Sequence, residues 1–236
     1  MPAILETPTS QLDVAQLTPM IGPDRSALLV IDVQEDFASP QGAMGRIGLD
    51  LSAIGAAIDQ IDPITRAARL AGVPVIFARV VTRPETDTTA LRLLMERNGH
   101  DPDQAMAICR AGTSGAGYYR VEPQAGDLEI EKHLFSCFVG TRFDEQLRER
   151  RIDTLVVVGI TTECCVDCTV RDAFHRNYNV FAVADACAAY DEATHIAALN
   201  GLAKTCAIVV DAARVQAAWR ALDNQSVSER TGACRA

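Results

Sequence analysis

The chain has 236 residues, 48% hydrophobic and 22% charged, enough for one large domain with a sizeable core at roughly 100 to 200 residues per domain. With 31 acidic residues against 22 basic ones the formal net charge is -9, which repels a phosphate backbone or an anionic membrane at long range and excludes a nucleic-acid or membrane-surface partner. No apolar run approaches the roughly 18 residues needed to cross a bilayer, and residues 1–20 lack a charged start followed by an apolar stretch. A soluble, cytoplasmic protein is expected, and its eight cysteines read as reduced thiols because a core of this size needs no staples.

Residues 1–24 read as an arm lying on the body or on a neighbouring subunit. Residues 27–33 form a continuous apolar run that ends in an acid, the pattern of a strand buried on both faces. A helix follows over 51–70, with Asp62-Pro63 placed to cap and start its second half. The second strand covers 74–80. Residues 82–126 form a long insertion punctuated by Gly and Pro, with a helical pattern around 90–97; a connection of this length reads as a lid or binding segment. Strands are expected at 127–132, 153–159, 179–184 and 206–210, and helices at 142–151, 165–177 and 193–203. Residues 223–236 read as a frayed polar tail. The alternation predicts an α/β fold: a three-layer αβα, doubly wound sheet of about six mainly parallel strands, in a single domain over 25–222.

There is no Walker phosphate loop, and the Gly-rich stretches at 42–48 and 112–117 do not sit between strand and helix with dinucleotide spacing. No Gly-x-Ser-x-Gly elbow is present. Cys165-x-x-Cys168 has no second pair to complete a zinc site. The strand ends are more informative, because ligands in open α/β sheets bind outside the carboxyl ends of the strands. Asp32 closes the first strand, Lys132 the third, and Cys165 follows the fourth. With the first and fourth strands adjacent, an acid and a thiol face each other across one crevice, as a base and its nucleophile would. An acid ending a buried strand also serves as a structural cap. Lys132 is one of two lysines against twenty arginines, so a compact ammonium is called for where a guanidinium fork would not fit. In the first turn of the 165–177 helix, Cys165 would have its thiolate stabilised by the helix dipole.

Three segments together, Leu28-Leu-Val-Ile-Asp32-Val-Gln34-Glu-Asp-Phe37, Glu131-Lys132 and Gly159-Ile-Thr-Thr162-Glu-Cys-Cys165-Val-Asp-Cys-Thr169-Val-Arg171-Asp172, resemble the isochorismatase-like cysteine hydrolases over roughly residues 25–215. The resemblance implies a catalytic Asp32-Lys132-Cys165 triad and a cis peptide at Ile160-Thr161, with the amides of Thr161 and Cys165 forming an oxyanion site. Phe37, Phe135, Arg83 and Thr162 are candidate substrate-binding residues: Phe37 would wall the pocket, joined by Phe135, with core packing as the alternative for both, and Arg83 could bind a substrate carboxylate, though an exposed loop arginine without a partner is the reading preferred for it.

Two departures narrow the choice. Nicotinamidases of this family carry an Asp-x-His pair and a further His for a metal after the second strand, whereas Arg79-Val-Val-Thr-Arg-Pro84 offers none, so no metal and no cofactor are expected. Isochorismatases proper lack the nucleophilic cysteine, so Cys165 points to C–N bond hydrolysis. Gly48-Leu-Asp-Leu-Ser52 and Ile61-Asp-Pro-Ile64 look most like the ureide-cleaving members, biuret hydrolase and ureidoacrylate amidohydrolase. The expected function is therefore a cysteine-dependent amidohydrolase for a small amide or ureide, working through a thioester. A nicotinamidase-like amidase and a non-catalytic binding module on the same fold remain alternatives. An apolar arm around 14–21, with Tyr118 and Tyr119 in the lid, leads to the expectation of a homodimer or homotetramer.

Overall fold

Successive strand residues face opposite sides of a sheet, and in this chain both sides are apolar, so the sheet must be covered by helices on both faces. The computed structural model describes residues 7–233 and the side chains of 7–224. Its strands are β1 (Ser26–Ile31), β2 (Val75–Val80), β3 (Leu128–Lys132), β4 (Thr154–Ile160), β5 (Asn179–Ala188) and β6 (Ile208–Val210). They form one sheet of order β3-β2-β1-β4-β5-β6, parallel at every pairing. The direction of strand succession reverses between β1 and β4, which puts the ligand crevice of a doubly wound sheet at their carboxyl ends.

The helices are α1 (Val14–Leu17), α2 (Glu35–Ala38), α3 (Ala43–Arg46), α4 (Ser52–Leu70), α5 (Thr89–Arg97), α6 (Pro102–Met106), α7 (Phe143–Glu149), α8 (Asp167–His175), α9 (Glu192–Thr205) and α10 (Ala212–Ala233). Leu28, Val30, Phe77, Val156 and Val158 pack on one face with residues of α4 and α10. Leu29, Ile31, Ile76, Leu155 and Val157 pack on the other with residues of α7 and α8. The residues of β1 and β4 thus divide between two cores by parity, and both strands are buried at every position.

Asp62-Pro63 does not start a new segment: α4 runs unbroken through Pro63. Ile54, Ile58, Ile61, Ile64 and Ala68 are all buried and recur at helical spacing, so their burial, at about 2 kcal/mol for each large aliphatic side chain, offsets the hydrogen bond that proline removes. The expected polar tail is also revised. The backbone is helical to Ala233, and Ala212, Val215, Ala218 and Trp219 form its buried stripe. Only 234–236 of that segment lie outside the described residues.

Of the arm, 1–6 lie outside the described residues, and the rest covers the chain's own body. Leu17 and Ile21 are fully buried, and the Trp219 indole donates to the Ile21 carbonyl at 2.8 Å. Tyr118 is likewise committed within the chain: its hydroxyl donates to Glu129 at 2.9 Å, and its ring meets Phe77 edge-on at 5.6 Å. Neither feature is therefore available as an argument for an oligomer. Among the described residues, no helix is long and apolar enough to cross a membrane.

Candidate active site

The site begins with two backbone departures where β1 and β4 end. Asp32 follows β1 with φ +54°, which turns its side chain out of the strand's alternation. Opposite it, Gly159 has φ +128°, and a Cβ there would stand 2.1 Å from the Ile31 carbonyl oxygen; no other residue permits this approach. The β4–β5 register shifts between Val157 and Gly159. Beyond it the Ile160–Thr161 peptide is cis, and Thr162–Val166 forms a π-helical turn ahead of α8.

Asp32, Lys132 and Cys165 meet here. Asp32 is fully buried, Lys132 is 2% exposed and Cys165 6%. Lys132 Nζ donates to Asp32 Oδ2 at 2.7 Å and to the Leu134 carbonyl at 3.1 Å. Asp32 Oδ1 is buried with no hydrogen-bond partner within the described residues. Burial pushes the Asp32 carboxyl up; the Lys132 ammonium and the Cys165 thiol pull it back without cancelling that rise. For Lys132 burial acts downward, but the charges of Asp32, Cys165 and Cys137 outweigh it and hold the ammonium above the ordinary lysine range.

Cys165 departs from the sequence expectation. It lies in the π turn rather than in the first turn of α8, and its thiol is pushed well up, by its contact with Cys164, by burial and by the Asp32 carboxylate, with Lys132 opposing. These effects oppose thiolate formation at Cys165, against what a helix N-terminus alone would do. Cys164, lowered by its hydrogen-bond contact with Cys165, lines the same cavity. Cys168 does not reach it.

The cavity outside these groups has a volume of about 200 Å³, below the roughly 300–1,000 Å³ typical of drug-sized ligands. Its polar floor is Thr161, Cys164 and Cys165, and Phe37, Phe135 and Tyr190 are among its walls. Phe135 is 37% exposed, so its role is wall rather than core. The inserted segment contributes Leu91, Met95, Ala105, Met106 and Ile108, which makes it a cover for the cavity.

Two of the expected substrate contacts are not there. Arg83 does not line the cavity; it pairs with Glu131 at 3.0 Å, whose other oxygen holds Arg79 at 2.8 Å. Thr162 is fully buried, and its hydroxyl meets His195 Nδ1 at 2.8 Å, so it fixes the turn to α9 instead of touching a ligand. Burial pushes the His195 imidazole down, with Glu192 opposing.

Several positions escaped the sequence reading. Gln34 is fully buried and joins β2 to the cover: its amide donates to the Val80 and Ala116 carbonyls, and its oxygen accepts from the Val80 amide, at 2.8–3.0 Å. Asp36 accepts from the amides of Cys109 at 2.7 Å and Ala43 at 3.0 Å. Both lie within the Asp32–Phe37 segment, where buried polar residues directly after an apolar strand were the available signal. Tyr190 donates to the Phe37 carbonyl at 2.8 Å; nothing local marked it. Among the described residues no group of three His, Cys, Asp or Glu side chains is arranged to hold a metal.

The parallel sheet thus brings a buried acid, a buried lysine and a cysteine together at its switch point, beside a small, largely apolar cavity. The isochorismatase domain model matches residues 26–214, and the chain belongs to that family. It is 34% identical over 210 residues to the ureidoacrylate amidohydrolase RutB of Methylobacterium radiotolerans, covering 84% of this chain and 81% of the relative. Among solved structures, a cysteine hydrolase from Pseudomonas syringae pv. phaseolicola superposes with a TM-score of 0.75 at 29% identity, over 86% of this chain and 95% of the other. The N-carbamoylsarcosine amidase of Thermoplasma acidophilum gives 0.62 at 27%, over 80% and 94%.

Proposed function

We propose that the protein is an amidohydrolase that cleaves a C–N bond of a small amide or ureide, with Cys165 as nucleophile and a thioester intermediate. The observation that carries this reading is the fully buried Asp32–Lys132 ion pair, with Asp32 Oδ1 unpartnered and the Cys165 thiol beside the carboxylate on the cavity floor. The names of the relatives, one acting on a ureidoacrylate and one on a carbamoyl-amino acid, are consistent with it.

As the substrate carbonyl approaches, Asp32 takes the thiol proton and the sulfur bonds to the carbonyl carbon. The C=O electron pair moves to oxygen, where the Thr161 and Cys165 amides receive it; such a donor is worth about 3 to 4 kcal/mol. The tetrahedral adduct collapses, the C–N bond breaks, and Asp32 returns its proton to the departing nitrogen. Water then attacks the thioester, gives a proton to Asp32 and releases acid or carbamate; the sulfur leaves and recovers its proton. Between these proton transfers Lys132 favours the charged form of Asp32, in a site where burial alone would favour the neutral one.

Three proteins test the reading in an ammonia-release assay on a panel of amides and ureides. Wild type should turn over at least one of them, Cys165→Ala none, and Cys164→Ala within about tenfold of wild type. Activity retained in Cys165→Ala would overturn the assignment.

A further inference from the structure

The cavity cover is unusual in its chemistry. Of the five methionines in the chain, three, Met44, Met95 and Met106, line this one cavity. Leu91 and Met95 stand one helical turn apart on α5, so both reach the cavity from the same face. No lysine, arginine, aspartate or glutamate is among the lining residues, and His133 is the one imidazole there. The polar groups on the walls are largely used internally: the Thr82 hydroxyl donates to the Ile108 and Met106 carbonyls at 2.9 and 3.2 Å, and the Tyr190 hydroxyl donates to Phe37. Arg83, the nearest sequence candidate for an anion clamp, is held by Glu131 outside the cavity.

A carboxylate moved from water into such a site would lose its hydration with no lysine or arginine to replace it, which is strongly unfavourable. A hydrocarbon group would gain from burial, and unbranched thioether side chains adapt to chains of different length and shape. We propose, building on the amidohydrolase reading above, that the substrate is an uncharged aliphatic amide or alkylurea whose hydrocarbon substituent lies against the Leu91–Met95–Met106 wall, and not a carboxylate-bearing ureide. In this the chain departs from the substrate that its ureidoacrylate-hydrolysing relatives are named for.

The test compares two series by kcat/KM with the intact protein, at about pH 8. One series is acetamide, butyramide, hexanamide and N-butylurea. The other carries a terminal carboxylate: succinamate, ureidopropionate and ureidoacrylate. Hexanamide should exceed acetamide by about tenfold or more, since one methylene in an apolar pocket is worth up to roughly 10- to 200-fold. Each carboxylate should fall at least about 100-fold below its neutral counterpart. Met95→Arg, at a half-buried position that tolerates a long side chain, should reverse that preference by supplying the missing cation. Faster turnover of the carboxylate series by wild type, or no gain with alkyl length, overturns the substrate class while leaving the amidohydrolase reading intact. Failure of both series to release ammonia or to acylate Cys165 overturns that reading, and this inference with it.

Discussion

Replacing Lys132 by methionine removes the ammonium and keeps most of the hydrocarbon stem, so the consequence falls on Asp32. The pair is 2.7 Å apart with both side chains fully buried. At an effective dielectric constant of about 20 the Coulomb attraction at that distance is roughly 6 kcal/mol, and removing one partner of a buried pair costs about 3 to 5 kcal/mol. The folded variant has an alternative, which is to protonate Asp32. From an unfolded carboxyl pKa of about 3.9, that choice costs about 1.36 kcal/mol for each pH unit above it, hence about 1.5 kcal/mol at pH 5 and about 5.5 at pH 8. The sign follows from proton binding. A carboxyl raised in the folded state binds protons that the unfolded chain releases, so stability falls as pH rises. Relative to wild type at the same pH, Lys132→Met should lose about 1.5 kcal/mol at pH 5 and about 4 kcal/mol at pH 8 in urea unfolding, with unchanged m-value. Asp32→Asn/Lys132→Met, which leaves no buried charge, should recover most of that loss and remain inactive. A loss that is the same at both pH values, or below about 1 kcal/mol at pH 8, would refute the argument that Lys132 is what holds Asp32 charged.

Other perturbations have equally definite outcomes. Gly159→Ala places a methyl 2.1 Å from the Ile31 carbonyl at a φ that L residues avoid; a loss of about 3 kcal/mol or more in thermal or urea unfolding is expected, and a loss under 1 would mean the strands can separate freely there. Thr162→Val should lower kcat far more than it raises KM, because the hydroxyl orients the catalytic turn through His195 instead of touching substrate. His195 has a depressed folded pKa, so its contribution is present at neutral pH and lost as pH falls through the unfolded value of about 6.5; His195→Gln should flatten that part of the stability–pH curve. Gln34→Ala deletes three buried hydrogen bonds, worth about 2 to 4 kcal/mol at roughly 1 each, and should speed amide exchange over 84–116 ahead of the rest of the chain.

Most of the sheet was legible because a parallel strand covered on both faces leaves a continuous apolar run, and all six runs lie within one or two residues of the observed strands except at the longer end of β5. That Asp32, Lys132 and Cys165 come together was legible for a related reason: each polar residue interrupts or follows such a run at a strand's carboxyl end. The failures share a different cause. Pro63 was read from its local chemistry, whereas the isoleucine stripe of α4 decides the helix. The apolar spacing of Val215, Ala218 and Trp219 was available and undervalued beside the polar residues that follow. The partner of Arg83 is Glu131, 48 residues on and brought near by the β2–β3 pairing, so a residue that looks free in the chain is occupied in the fold. The electrostatics of Cys165 depend on Asp32, which is 133 positions away. Helix position alone favoured a thiolate, but the contact with Cys164, burial and the carboxylate all push the thiol up.

The central claim is that sulfur of Cys165 carries the acyl group during turnover. Acid-quenching the enzyme during steady-state turnover of its best amide or alkylurea, followed by intact-mass analysis and peptide mapping, reads this directly. The account predicts one added acyl group per chain, labile to hydroxylamine and located on Cys165 in wild type and in Cys164→Ala. An adduct mapping to Cys164 would contradict it, as would rapid turnover with no adduct under conditions where the second step is made limiting.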